Sequence, residues 1–160
     1  MQKMRILIVI TVLFICTIQD IKSKYIDIRT VWIGSFLYVI GAGINFWREI
    51  NNNVIYCKNN LWYMFESYEL YLFLISLLPG IALLFLAKYI NGIGEGDGWI
   101  VLFIGAVHGI EVLFPTLIIA FLISSVLGGI LLFIKKVSLN TELAFVPFIT
   151  GGYLLCVLYR

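Results

Sequence analysis

The sequence predicts an all-α polytopic membrane protein, a single integral-membrane domain over residues 1–160 with about six transmembrane helices. Three observations lead there. Charged residues make up 12% of the chain, half of the roughly 25% usual in a soluble domain. Mean hydropathy is +1.04. The apolar residues come in long runs rather than at one-face helical spacing, and about 18 in a row suffice to cross the hydrocarbon core as a helix.

The runs can be taken in order. The first covers residues 4–19. Lys3 and Arg5 ahead of it resemble the start of a secretory signal, but Thr17-Ile18-Gln19 is no small-residue cleavage site, so a retained first helix is expected. The second covers 31–47 and the third 70–87. Residues 99–134 are too long for one crossing, so a split is expected at Pro115, with His108 and Glu111 beside the turn. The last run covers 143–159. Each should be helical, because backbone polar groups in lipid must be satisfied within their own segment. Residues 48–69, with Asn51, Asn52, Asn53, Asn59 and Asn60, form the longest polar connection.

Six crossings put residues 20–30, 88–98 and the Lys135-Lys136 turn on one side. These hold Lys22, Lys24, Arg29, Lys88, Lys135 and Lys136, against Lys3, Arg5, Arg48, Lys58 and Arg160 opposite. The small excess favours the cytoplasm for the first group. The expected location is the plasma membrane, with lipid as a partner. Trp32, Trp47, Trp62 and Trp99 fall near helix ends, as interfacial aromatics do.

Several classes are excluded or disfavoured. A net charge of +2 without a basic cluster gives no reason to expect nucleic acid. Cys16, Cys57 and Cys156 form no CxxC pair, so no structural zinc is expected. Cys57, in the polar connection, is the one thiol placed to react, although an inert role is favoured. His108 and Glu111 offer too few ligands for a metal and read as an interfacial polar pair. No metal or cofactor is expected. Gly41, Gly43, Gly128 and Gly129 are expected to let helices pack closely.

Carboxylates near a bilayer are costly and call for a reason. Of nine in the chain, two stand out. Asp20 directly follows the first apolar run. Asp97 directly precedes the fourth, within Gly92-Ile93-Gly94-Glu95-Gly96-Asp97-Gly98. Both fall on the same side. The glycines permit close approach by another chain, so an extended substrate can lie against Gly94, Glu95, Gly96 and Gly98. A blander reading makes this a connector with Asp97 as the N-cap of the next helix.

Gly94-Glu95-Gly96-Asp97 resembles the GxGD signature of intramembrane aspartic proteases, which include the prepilin and preflagellin peptidases and the presenilins. Asp20-Ile21-Lys22-Ser23-Lys24-Tyr25-Ile26 resembles the other active-site segment of prepilin peptidases, an Asp at a helix end followed by a short basic stretch and an Ile or Val. Phe145-Val146-Pro147-Phe148-Ile149-Thr150-Gly151-Gly152 resembles their C-terminal Pro-Phe helix start. The order is the family's, and the length resembles its short, peptidase-only forms. The chain departs from the pattern at Ile26-Asp27-Ile28, where the family often has Ile-Pro-Asn, and at Gly98-Trp99, where it often has a basic residue. Asp27 is therefore an alternative to Asp20, expected instead to be a solvated loop carboxylate beside Arg29.

The resemblance implies an aspartic endopeptidase with Asp20 and Asp97 as its catalytic pair. It would remove the short basic leader from type IV pilin-like precursors, prepilin or preflagellin, at the cytoplasmic face. Two adjacent carboxyls would share a proton, one activating water and the other donating to the scissile carbonyl. A second copy of the chain is a further partner that the sequence leaves open. Two other readings compete. One is a small transporter or channel subunit with Asp20 and Asp97 as ion- or proton-binding carboxylates. The other is a non-catalytic accessory membrane protein.

Overall fold

The computed structural model describes residues 2–52, 67–89, 94–134 and 144–159. These form six helices: α1 (Gln2–Ser23), α2 (Ile28–Asn52), α3 (Ser67–Tyr89), α4 (Glu95–His108), α5 (Ile110–Phe133) and α6 (Val146–Tyr159). Among the described residues, three stretches are long and apolar enough to cross a membrane: Lys3–Ser23, Tyr71–Tyr89 and Ile110–Leu131. Ile28–Ile44 and Val146–Tyr159 are shorter apolar helices. At 1.5 Å per residue the 14-residue α4 is about 21 Å long, short of the ~30 Å hydrocarbon core. The expectations for Cys57, Trp62, Gly92, Ile93, Lys135 and Lys136 lie outside the described residues.

Several boundaries differ from expectation. The break between α4 and α5 is at Gly109, not Pro115. Gly109 has φ 73°, a left-handed value that glycine adopts without strain, and its N–H closes α4 on the Gly105 carbonyl at 2.9 Å. Pro115 lies inside α5, where it only withholds a donor from the Glu111 carbonyl. One residue on, the Thr116 hydroxyl donates to the Val112 carbonyl at 2.7 Å. A membrane helix tolerates proline on these terms. At the other end, α4 begins at Glu95 and α1 runs on to Ser23, so Asp20 and Asp97 both belong to helical turns rather than to loops.

The helices meet through small residues. A Cβ on Gly80 of α3 would sit 2.7 Å from the Leu102 backbone of α4, and one on Gly105 would strike the Ser76 carbonyl. Ser76, fully buried, donates its hydroxyl to the Gly105 carbonyl at 3.0 Å. A Cβ on Gly152 of α6 would approach the Thr116 carbonyl oxygen of α5 to 2.6 Å. Such contacts bring backbones close where lipid supplies no hydrophobic drive for association. Three of the glycines expected to do this behave differently. A Cβ on Gly41 would meet the flexible tip of Met4, and one on Gly43 or Gly129 would face open space.

The core runs along the bundle axis through Val9, Leu13 and Cys16 of α1, Ile100 and Ile104 of α4, Leu113 of α5, and Ile149 and Tyr153 of α6. α1 and α6 are joined across it by the Thr17 and Thr150 hydroxyls at 2.8 Å. The outward faces carry large apolar side chains such as Phe36, Phe85 and Phe121. That pattern, with long apolar helices, is what a bilayer-embedded protein requires.

Gly105→Ala forces a methyl into the Ser76 carbonyl and should cost about 1–3 kcal/mol. Gly129→Ala adds one to open space and should be neutral or stabilising by up to about 1 kcal/mol. The unfolding midpoint of the two variants in detergent, compared with that of the unaltered protein, checks both.

Candidate active site

Asp20 continues the buried stripe of α1. Val9, Leu13, Cys16 and Asp20 follow one another at spacings of four, three and four residues and share one helix face. The carboxylate is therefore turned into the bundle, 6% exposed. Its Oδ2 accepts the Val146 N–H at 3.0 Å, and the Phe145 amide lies close by. These groups belong to the start of α6, whose first turn holds no acidic residue of its own. Asp20 thus satisfies, from another helix, donors that a helix start leaves orphaned.

Asp97 is the third residue of α4. The N-cap is Gly94, extended at φ −72° and ψ 128°, with no side-chain cap, so Asp97 is not the capping residue. Its N–H bonds the Gly94 carbonyl at 3.2 Å. The carboxyl is half-buried just ahead of the apolar run that starts at Trp99. A carboxylate in the first turn of a helix is ordinarily favoured by the helix dipole. Here burial, and after it the nearby charge of Asp20, push the Asp97 carboxyl up to about 7. The fold therefore brings two carboxylates from distant parts of the chain into electrostatic reach of one another.

The connection after α1 sets that juxtaposition. Lys24 takes a left-handed φ of 52° and its N–H bonds the Asp20 carbonyl at 2.9 Å, ending the helix. The chain then doubles back, and Ile26 packs on Gly96, where an added Cβ would lie 2.6 Å from the Ile26 Cβ. Gly98 is pressed likewise by Leu84 of α3, at 2.8 Å. Gly94 and Glu95 stay exposed. Trp32 and Trp99 pair at this end, with ring centroids 5.8 Å apart.

Asp27 has other work. It is exposed and caps α2, its Oδ1 accepting the Arg29 N–H at 3.0 Å, while its own N–H bonds the Gln19 side chain at 3.2 Å. His108, eleven residues and about 16 Å along α4 from Asp97, meets the hydroxyl of the buried Tyr153 at 3.3 Å. Tyr153 drew no notice in the sequence, where one aromatic in an apolar run carries no signal. Glu111 is exposed. A cavity of about 600 Å³ lined by Arg5, Tyr38, Phe103, His108 and Glu111 opens at this far end and includes neither Asp20 nor Asp97. Among the described residues, no three His, Cys, Asp or Glu side chains converge as a metal site requires.

The part sequence reasoning missed is the hold of α6 on Asp20. The signal was present: a helix start at Phe145-Val146-Pro147 with no acidic residue in its first turn needs an acceptor from elsewhere.

Residues 7–133, well over half of the chain, match the type IV leader peptidase family. The match takes in Asp20, Asp97 and the glycine segment and stops short of α6. Comparison with curated proteins and with solved structures gives no match. The family match over most of the chain, on a membrane-type helical bundle, establishes that the chain belongs to the type IV leader peptidase family.

Proposed function

We propose that this peptidase is an intramembrane aspartic endopeptidase that removes the basic leader from type IV pilin-like precursors, with Asp20 and Asp97 as its catalytic pair. The observation that supports the reading is that these two carboxylates, each supplied by a different helix, lie within electrostatic reach of one another. Hydrolysis then needs no further group. One carboxylate takes a proton from water, whose oxygen attacks the scissile carbonyl carbon. The other carboxyl gives its proton to the carbonyl oxygen. The tetrahedral adduct collapses with cleavage of the C–N bond, and the amine leaves with a proton returned from the pair.

The rest of the site fits such a substrate. Gly94 and Glu95 are exposed beside the pair and offer backbone to an extended chain, while Gly96 and Gly98 lock the segment onto Ile26 and Leu84. Glu95 supplies a charge opposite to that of a basic leader, and the apolar helix that follows the leader would lie in lipid against the outer faces. The proposed topology is six crossings with the pair at the cytoplasmic face. Against an ion path, Leu13, Cys16, Ile100 and Ile104 are fully buried beneath the pair, which favours a peptidase over a transporter.

Cleavage of a pilin-like precursor by the purified protein in liposomes tests this. Asp20→Ala and Asp97→Ala should each lower the rate by a factor of roughly 10² to 10⁴. Asp27→Ala should stay within a few-fold and lose about 1 kcal/mol of stability with the cap. Full activity in Asp20→Ala would refute the pair. The proton that Asp97 carries is bound below its value of about 7 and lost above it, so the rate should fall as pH rises through neutrality. A rate flat from pH 6 to 9 would count against Asp97 as a proton carrier.

A further inference from the structure

Asp20 and Asp97 sit in unlike surroundings. Asp20 accepts the Val146 N–H at 3.0 Å and faces the N-terminal end of α6, whose first turn has no acidic residue. Amide donors and the positive end of a helix both favour a charged carboxylate over a neutral one. Asp97 also lies in a helix's first turn, but its side chain accepts no hydrogen bond from the described residues; the bond to the Gly94 carbonyl is made by its backbone N–H. Burial works against charge on both carboxyls, so the directed donor is what sets Asp20 apart from Asp97.

Resting on the catalytic pair proposed above, we infer that the start of α6 divides the labour between the two aspartates: the Val146 N–H holds Asp20 as the charged member, which activates water, and leaves the proton on Asp97. Val146 is a positioning residue that acts through its backbone. The sequence of transfers is then fixed. Asp20 takes a proton from water as the new C–O bond forms, and Asp97 protonates the carbonyl oxygen. On collapse, the proton on Asp20 goes to the leaving amine and Asp97 recovers its own from the gem-diol. Both carboxyls finish as they began.

Among the described residues, the groups that bear on the pair can be named, and they include the exposed Lys88 at the end of α3. The Cys16 thiol is one turn below Asp20 on α1, and Asp97 faces it from α4. α6 presents the uncharged Phe145 and Val146 and, deeper, the Tyr153 hydroxyl. Lys22, Lys24, Asp27, Arg29 and Glu95 are exposed at the same end.

The test reads charge directly and needs no substrate. Aspartate labelled with ¹³C at Cγ in the full-length protein gives carboxyl resonances assigned through Asp20→Asn and Asp97→Asn. Near neutral pH the Asp20 signal should be that of a carboxylate and the Asp97 signal should carry the titration. A protonated Asp20 beside a charged Asp97 would overturn the inference. Val146→Pro adds a second arm. Proline fits the first position of a helix and removes the N–H, while also exchanging the buried Val146 side chain for a ring of similar size. In that variant the Asp20 titration, and with it the acidic limb of the cleavage profile, should move up by about one pH unit, a tenfold loss of rate on that limb. Thr150→Val cuts the other polar tie between α1 and α6. It should leave the limb in place; an equal shift there would mean mere loosening and would sink the positioning role. Should the unaltered protein cleave no precursor while the resonances behave as stated, the peptidase reading fails and the charge assignment stands.

Discussion

A carboxylate turned into an apolar helical bundle is the constraint on which this structure depends. The cost of burying an unpaired charge is several kcal/mol, and Asp20 occupies a position that Val9, Leu13 and Cys16 define as interior. The fold meets that cost with backbone rather than with a cation. The start of α6 lends an amide to Asp20, and the carboxylate in turn satisfies a helix end whose first turn has no acidic residue. The last helix is thereby docked on the first by one polar contact, with the Thr17–Thr150 hydroxyl pair a turn away. The raised affinity of Asp97 for a proton comes first from its own burial and then from having this carboxylate for a neighbour.

The remaining architecture serves to bring α4 up to that charge. α4 is held from one side by α3, through Gly80, Gly98, Gly105 and the Ser76 hydroxyl. From above it is held by Ile26, which rests on Gly96. The glycines of the segment thus divide by position. Those that face this chain's own side chains allow contact too close for any Cβ, and those at the exposed start leave backbone open to the outside. The spacing of alternate glycines puts successive ones on different sides of the first helical turn, which is how one short segment can do both.

Much of this was legible in the sequence, and the failures have identifiable causes. Composition and run length foretold a helical membrane bundle. Position relative to the apolar runs singled out Asp20 and Asp97, and parity put them at one end. The stripe of Val9, Leu13, Cys16 and Asp20 was readable as one inward face. The break after α4 was misplaced because Pro115 was weighed as a helix breaker, whereas near the start of a membrane helix it forfeits a single bond. Gly109, the true hinge, looked ordinary. Gly41, Gly43 and Gly129 were credited with close packing that belongs to Gly80, Gly105 and Gly152, since composition does not say which side of a helix meets a partner. The tie between Asp20 and Val146 joins residues too far apart for any local pattern to reveal.

That last separation, 126 residues, bears on how the protein is made. Chains enter the membrane from the N-terminus onward as they are synthesised. Asp20 arrives with the first helix, and the amide that holds it arrives with the last. Throughout elongation the first helix carries its acidic residue without its eventual partner, free to stay protonated or to remain at the water interface. The contact between Asp20 and Val146 forms only when α6 docks, which makes the enclosure of this carboxylate a late event in the assembly of the bundle.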